Sequence, residues 1–186
     1  GLIKAAIRDD DPVMFFQHKK LFAKEGPVPR GDYVIELGQA AVKRPGNDVT
    51  LIGYGSGFYL CREAAQRLSE MDIDAEVIDL RTLRPMDTAT VIKSVQKTNR
   101  CVTVEEGFPV CSIGNHLSAY IMTHAFDYLD APVTRVTTLD APAIYSPYVD
   151  NDQLPNPGRI VEKVLRSAIA AIDSWNSSSE LLSSWR

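Results

Sequence analysis

The sequence is short of most features that mark a specialised protein. Its 186 residues contain only three cysteines and three histidines. Cys61, Cys101 and Cys111 are odd in number and fall in an expected helix, strand and loop. That excludes a disulfide framework and fits a reducing compartment. His18 stands apart, and His116 and His124 lie eight positions apart on one expected helix, too far to share a metal ion. No HExxH, CxxC, GxSxG or Walker pattern occurs, so zinc, hydrolase and P-loop chemistry have no footing. Lys and Arg number 20 against 24 Asp and Glu, for a net charge of −4. A basic footprint for nucleic acid or an anionic membrane is therefore missing, and neither is expected as a partner. No apolar run is long enough to span a bilayer, no signal-peptide pattern opens the chain, and there are no internal repeats.

What is present is alternation. With 45% hydrophobic and 24% charged residues, the chain has material for a sizeable core. The clearest unit runs from Ala75 to Glu106. Two short β-branched runs, Val77–Leu80 and Cys101–Val104, flank a segment in which Val91, Ile92 and Val95 recur at helical spacing. This is the pattern of a βαβ crossover, and hence of parallel strands. Pro85 ends the extended stretch, Asp87 is placed to cap the helix, and Asn99 to end it.

The rest reads as more of the same winding. Residues 2–8 are expected as the end of a helix, and Val13–Phe16 as a buried strand. Residues 24–32 are rich in Gly, Pro and charge, as in a linker. Two strands, 40–44 and 49–53, are expected to be joined by a turn at 45–48. A helix over 57–71 carries Leu60, Ala64, Ala65 and Leu68 inward. A helix over 113–129, a strand over 133–138, a Pro-containing loop over 141–157 and a final helix follow. That final helix places Ile160, Val161, Val164, Leu165 and Ile169 inward. The expected fold is a three-layer α/β/α domain with a mostly parallel sheet. Its boundaries read as the tail of a preceding domain over 1–25, a linker over 26–39, the main domain over 40–174, and a disordered or non-native tail over 175–186. The opening residues already lie within an amphipathic helix without a capping residue, and the chain is read as a fragment.

Three groups of residues could carry function. Gly53, Gly55 and Gly57 follow a strand and open a helix, with Asp79 ending the next strand, which approximates a dinucleotide fingerprint. A match beginning at Gly53 needs its third glycine at the position of Phe58, so a tight strand-to-helix turn is the preferred reading. Glu105, Glu106 and Gly107 lie just past a strand's carboxyl end, where open parallel sheets bind ligands, but they read first as a solvated strand end. Asp127 and Asp130 flank an expected helix C-terminus, where the helix dipole disfavours acids. Either a cationic partner offsets this, or solvent screens it.

Four runs then carry a resemblance: EVIDLRTLRPMD at 76–87, SVQKTNR at 94–100, VEEGFP at 104–109 and FDYLDAP at 126–132. In combination they resemble the beta subunit of the thiamine-diphosphate-dependent component of 2-oxoacid dehydrogenase complexes, over about residues 1–170. The pyruvate dehydrogenase branch is most similar, with the acetoin and branched-chain branches as alternatives. The resemblance implies the end of a pyrimidine-binding domain followed by a transketolase-type C-terminal domain, a five-stranded mixed sheet with one antiparallel strand. It implies an α2β2 heterotetramer with an alpha subunit and a second beta subunit, in the bacterial cytoplasm or the mitochondrial matrix. Thiamine diphosphate and magnesium would be held outside this segment, and no catalytic residue falls within it. A structural potassium ion would be bound mostly through main-chain carbonyls around Ala6, Ile7, Asp9 and Asp11. Asp130 would contact the subunit-binding domain of the dihydrolipoyl acyltransferase. The segment's role would be dimerisation and docking, without activity alone. A non-enzymatic interaction module on the same fold is the alternative of a different class.

Overall fold

A computed structural model of the chain describes residues 1–142 and 153–168. Its centre is one five-stranded sheet. The strands are β1 (Ala41–Arg44), β2 (Val49–Gly53), β3 (Ala75–Asp79), β4 (Cys101–Val104) and β5 (Thr134–Val136). They lie in the order β1-β3-β2-β4-β5. β3, β2, β4 and β5 are parallel and β1 is antiparallel. The helices are α1 (Leu2–Arg8), α2 (Ser56–Ser69), α3 (Thr88–Thr98) and α4 (Ile113–His124). A fifth, α5, is described over 157–168.

The winding expected between Ala75 and Glu106 is the one observed. Asp87 caps α3 by accepting from the Thr90 backbone N–H at 3.0 Å. Asn99 ends it in the left-handed conformation, with φ of 60°. Two apolar layers enclose the sheet. On one face Leu51, Val77, Val102, Val104 and Val136 meet Phe58, Cys61, Ala65 and Leu68 of α2, and Ile160, Val161 and Val164 of α5. On the other, Ile52, Ile78 and Cys101 meet Val91 and Val95 of α3, and Leu117 and Ile121 of α4. A side chain of this size stabilises the fold by about 1.5–3 kcal/mol when fully buried. Because helices cover both faces, β2 is buried at every position.

The α3 face also holds a polar seam. Thr50 Oγ1 lies 2.7 Å from Ser94 Oγ and 2.6 Å from Thr98 Oγ1. Ser94 donates to the buried Glu76, whose other oxygen is paired with Lys97. Each member of this seam thus finds a partner across the β2–α3 and β3–α3 contacts, as burial demands.

Several expectations fail. Val13–Phe16 form no strand, and Met14 and Phe16 are 80% and 83% exposed. A buried strand needs a neighbour to pair with and a layer to cover it, and none of the described residues supplies either. β1 and β2 are not a hairpin. Both edges of β2 are occupied by β3 and β4, so β1 joins the outer side of β3, with Ala41 opposite Asp79. The turn at 45–48 instead crosses the end of β3, where Asn47 and Asp48 donate backbone N–H groups to Asp74 O at 2.9 Å. The helix expected over 113–129 ends at His124, and a 3-10 turn follows at Phe126–Tyr128. Leu165 is 37% exposed instead of inward. Most of the loop at 141–157, Ile169 and the tail at 175–186 lie outside the described residues.

Candidate functional site

Strand order decides where a ligand could sit on such a sheet. After β2 the chain passes through α2 on one face and enters β3. After β4 it passes through α4 on the other face and enters β5. β2 and β4 are neighbours whose continuations diverge, so the crevice beyond their carboxyl ends is the switch point, where open parallel sheets bind ligands. Among the described residues, Tyr54, Ser56, Glu105 and Glu106 reach it.

Glu105 is not solvated. It is 3% exposed and accepts from the Gly114 N–H at 2.7 Å, the Ile113 N–H at 3.2 Å and the Tyr54 hydroxyl at 2.8 Å. The carboxylate thereby meets the orphan donors of the α4 N-terminus, a favourable place for negative charge. Burial first, and then the hydrogen bond to Glu105, push the Tyr54 phenol well above its ordinary range. Glu106 points the other way and is partly buried. Its Oε1 accepts from Ser56 Oγ at 2.7 Å, and its Oε2 lies 2.9 Å from His18 Nε2. Burial would raise its pKa, but the hydrogen bonds from His18 and Ser56, with the charges of His18 and Lys20, hold it below the usual carboxylate range. An open cleft of about 700 Å³ adjoins it, with Lys20, Lys24, Arg62, Glu63, Ser56 and Glu106 among its lining. Charges of both signs line it, so it selects no simple ion.

The glycine turn serves packing. A Cβ on Gly57 would sit 2.6 Å from Val104 O, and one on Gly53 2.6 Å from Phe58 N. Close helix–strand approach is made at these two positions, which frees Phe58 to enter the core. Ser112 caps α4 through the Asn115 N–H at 3.2 Å, and Cys111 beside it is exposed. Cys61 and Cys101 are buried, and burial pushes the Cys101 thiol up to about 12.

The remaining expected positions are scattered. Ala6 and Ile7 lie in α1, whose C-cap is Asp9, and the Asp9 carboxylate accepts from the Asp11 N–H at 3.0 Å. Last-turn carbonyls have no partner within a helix, so the donor chemistry at Ala6 and Ile7 fits a hard monovalent cation. Among the described residues no three His, Cys, Asp or Glu side chains cluster as a metal site. Asp127 falls within the 3-10 turn and Asp130 beyond it, so neither flanks the end of an α-helix. Asp130 has a cation within the chain, since Arg100 lies 3.2 Å away, and remains about half exposed. Among the described residues, the buried carboxylates of Glu76 and Glu105 are both engaged within the chain.

No sequence pattern points to the link from His18 to Glu106 and Ser56. Glu105 and Glu106 were visible as a strand end, but pairing across 88 positions leaves no local signal.

The family described as transketolase, C-terminal domain, matches residues 38–160. The pyruvate dehydrogenase E1 component subunit beta of Rhizobium meliloti (strain 1021) is 45% identical over 165 residues, covering 88% of this chain and 36% of that protein. The acetoin:2,6-dichlorophenolindophenol oxidoreductase subunit beta of Bacillus subtilis (strain 168) is 44% identical, covering 89% of this chain and 48% of that protein. The chain therefore spans about a third to a half of these relatives' length. Among solved structures, a split-gene transketolase described as an inactive beta4 tetramer superposes with a TM-score of 0.66 at 23% identity, covering 78% of this chain and 47% of that one. That likeness concerns the fold.

Proposed function

The chain belongs to the transketolase C-terminal domain family, and from that membership we propose that it is a C-terminal segment of a beta subunit in a thiamine-diphosphate-dependent 2-oxoacid dehydrogenase. The observation that carries this reading is near-equal identity, 45% and 44% over almost nine-tenths of the chain, to beta subunits of pyruvate and acetoin enzymes. Pyruvate is the preferred substrate of the whole enzyme. Acetoin is the second reading, favoured by the small difference between those identities.

In this reading residues 1–25 close a pyrimidine-binding domain, 26–39 connect it, and the wound sheet serves assembly with an alpha subunit and a second beta subunit. Thiamine diphosphate, held outside this segment, would supply carbanion-stabilising chemistry, and this segment's own buried carboxylates tie helices to the sheet. Asp130 is the docking acid for the acyltransferase's subunit-binding domain. Its half-exposed carboxylate supports that role, because an exposed acid can still meet a second cation. Potassium at Ala6, Ile7, Asp9 and Asp11 steadies the end of α1. Bacterial and mitochondrial relatives support a cytoplasmic or matrix location.

The test is reconstitution. The beta subunit containing this segment is co-expressed with an alpha subunit of the pyruvate class, in potassium and in tetramethylammonium. It is then assayed for substrate-dependent reduction of an artificial acceptor, with pyruvate and with acetoin. Co-purification and pyruvate turnover are expected, with a higher melting midpoint in potassium. Turnover by the segment alone, or failure to bind any alpha subunit, would overturn the reading.

A further inference from the structure

Two neighbouring residues hold Asp130, and they hold different parts of it. Asn99 and Arg100 join α3 to β4, and both reach the loop that carries the acid. The Asp130 N–H donates to Asn99 O at 2.9 Å, and Asn99 Nδ2 donates to Tyr128 O at 2.6 Å. Asn99 is itself fixed, since its N–H donates to Val95 O at the end of α3. The backbone of 128–130 is thus positioned without any use of the Asp130 side chain. That side chain meets Arg100, with Nη2 3.2 Å from Oδ2.

Building on the reading of Asp130 as a docking acid, we infer that Arg100 is its internal competitor and sets how tightly a basic partner binds there. Arg100 is poorly placed to withdraw. Its carbonyl accepts from the Thr50 N–H at 2.8 Å and from the Thr98 hydroxyl at 3.2 Å, which ties its backbone to the sheet and to α3. Its side chain is only 29% exposed, and Nε is buried without a hydrogen-bond partner. A guanidinium has donors only and stays charged, so it remains beside any cation that docks on Asp130. The Asp130 side chain is 49% exposed, and a carboxylate has acceptor sites for more than one donor. A partner's cation therefore shares the acid with Arg100.

Sharing has a consequence for which partners are held. Asp130 attracts an incoming cation, and Arg100 beside it repels the same cation. Two opposite charges so close together nearly cancel at a distance, and salt screens what remains. An unpaired acid would draw any basic surface. The pair rewards a partner that places a cation directly on the carboxylate, because only at contact does the nearer charge win. Arg100 thus lowers affinity while making the position of the partner's cation matter. Phe126 and Tyr128, in the turn just before, are exposed and offer aromatic area beside the pair, a residue type enriched at protein interfaces. The partner that fits is one whose basic residue stands next to an apolar contact.

The test is binding of the assembled alpha–beta enzyme to an isolated subunit-binding domain of a pyruvate-class acyltransferase, by calorimetry at about 0.05 M and about 0.5 M salt. Arg100→Gln keeps an amide donor but no charge. It should tighten binding about two- to fivefold at low salt and less than about twofold at high salt. Arg100→Lys keeps the charge and should stay within about twofold of wild type. Asp130→Asn should weaken binding. Arg100→Gln no tighter than wild type, with Asp130→Asn weaker, would overturn the role of Arg100 and leave Asp130 as a docking acid. Equal tightening at both salt concentrations, or by Arg100→Lys as much as by Arg100→Gln, would also overturn it, since either marks a change of shape and not of charge. Asp130→Asn with wild-type affinity would remove the docking reading and the role of Arg100 together. If Arg100→Gln does not assemble, Arg100→Met, which keeps the apolar stem, decides.

Discussion

Residues 1–39 and the wound sheet beyond them are both apolar enough to fold, yet only the second does so around its own core. None of the first 39 residues is buried, although they include Ile7, Met14, Phe16, Phe22 and Val28. In the sheet, even a carboxylate is buried, because backbone donors and a phenol meet it. Burial here follows from available partners more than from hydrophobicity. An apolar residue without a covering layer stays exposed, and a charged one with every oxygen engaged can go inside.

The contrast can be broken most severely at Gly57. Gly57→Val drives a side chain into the Val104 carbonyl across the α2–β4 contact. It should cost about 3 kcal/mol or more by overpacking, read as a lower urea midpoint. An unchanged midpoint would mean that α2 does not approach β4 so closely. Next is Glu105→Ala, which strands two backbone N–H groups and the Tyr54 hydroxyl. A loss of about 2–3 kcal/mol is expected, with increased exchange at the start of α4.

Asp87→Ala removes the cap of α3 and the acceptor for the Ala40 N–H, for about 1 kcal/mol. Burial acts to raise the Asp87 pKa, but the hydrogen bonds from Thr90 and Ala40 outweigh it and lower it. The stabilisation should therefore be full above the ordinary carboxylate range and fade as pH falls through the lowered value, so wild type and variant converge in acid. Asp130→Asn, at the sheet's exposed rim, should change stability by less than about 1 kcal/mol. Under the docking proposed above, it should weaken binding to an acyltransferase's subunit-binding domain, with a shallower salt dependence. Affinity identical to wild type at every salt concentration would remove Asp130 as a docking residue. Smallest of all, Phe16→Ser in the first region should shift the unfolding midpoint by less than about 0.5 kcal/mol. A larger loss would show that the segment has a core of its own.

Legibility followed the range of each interaction. The helix α3 could be read end to end, because its cap at Asp87 and its exit at Asn99 act within a turn of their own positions. The partner of β1 could not be read. Pairing with β2 or β3 uses the same backbone groups, and only the full strand order shows that both edges of β2 are occupied. Val13–Phe16 misled because composition alone cannot tell a run of apolar residues in a core from one awaiting a partner.

The sequence by itself determined the alternation of strands and helices, the cap and exit of α3 and the family to which the chain belongs. These rest on periodicity, capping and short motifs, all of which act locally. Only the tertiary structure decided that Glu105 is a buried staple, that Glu106 meets His18 across 88 positions, and that Asp130 has Arg100 beside it. Each of those roles depends on which strand ends share a crevice. Packing of the whole sheet fixes that arrangement, and no window along the chain contains it.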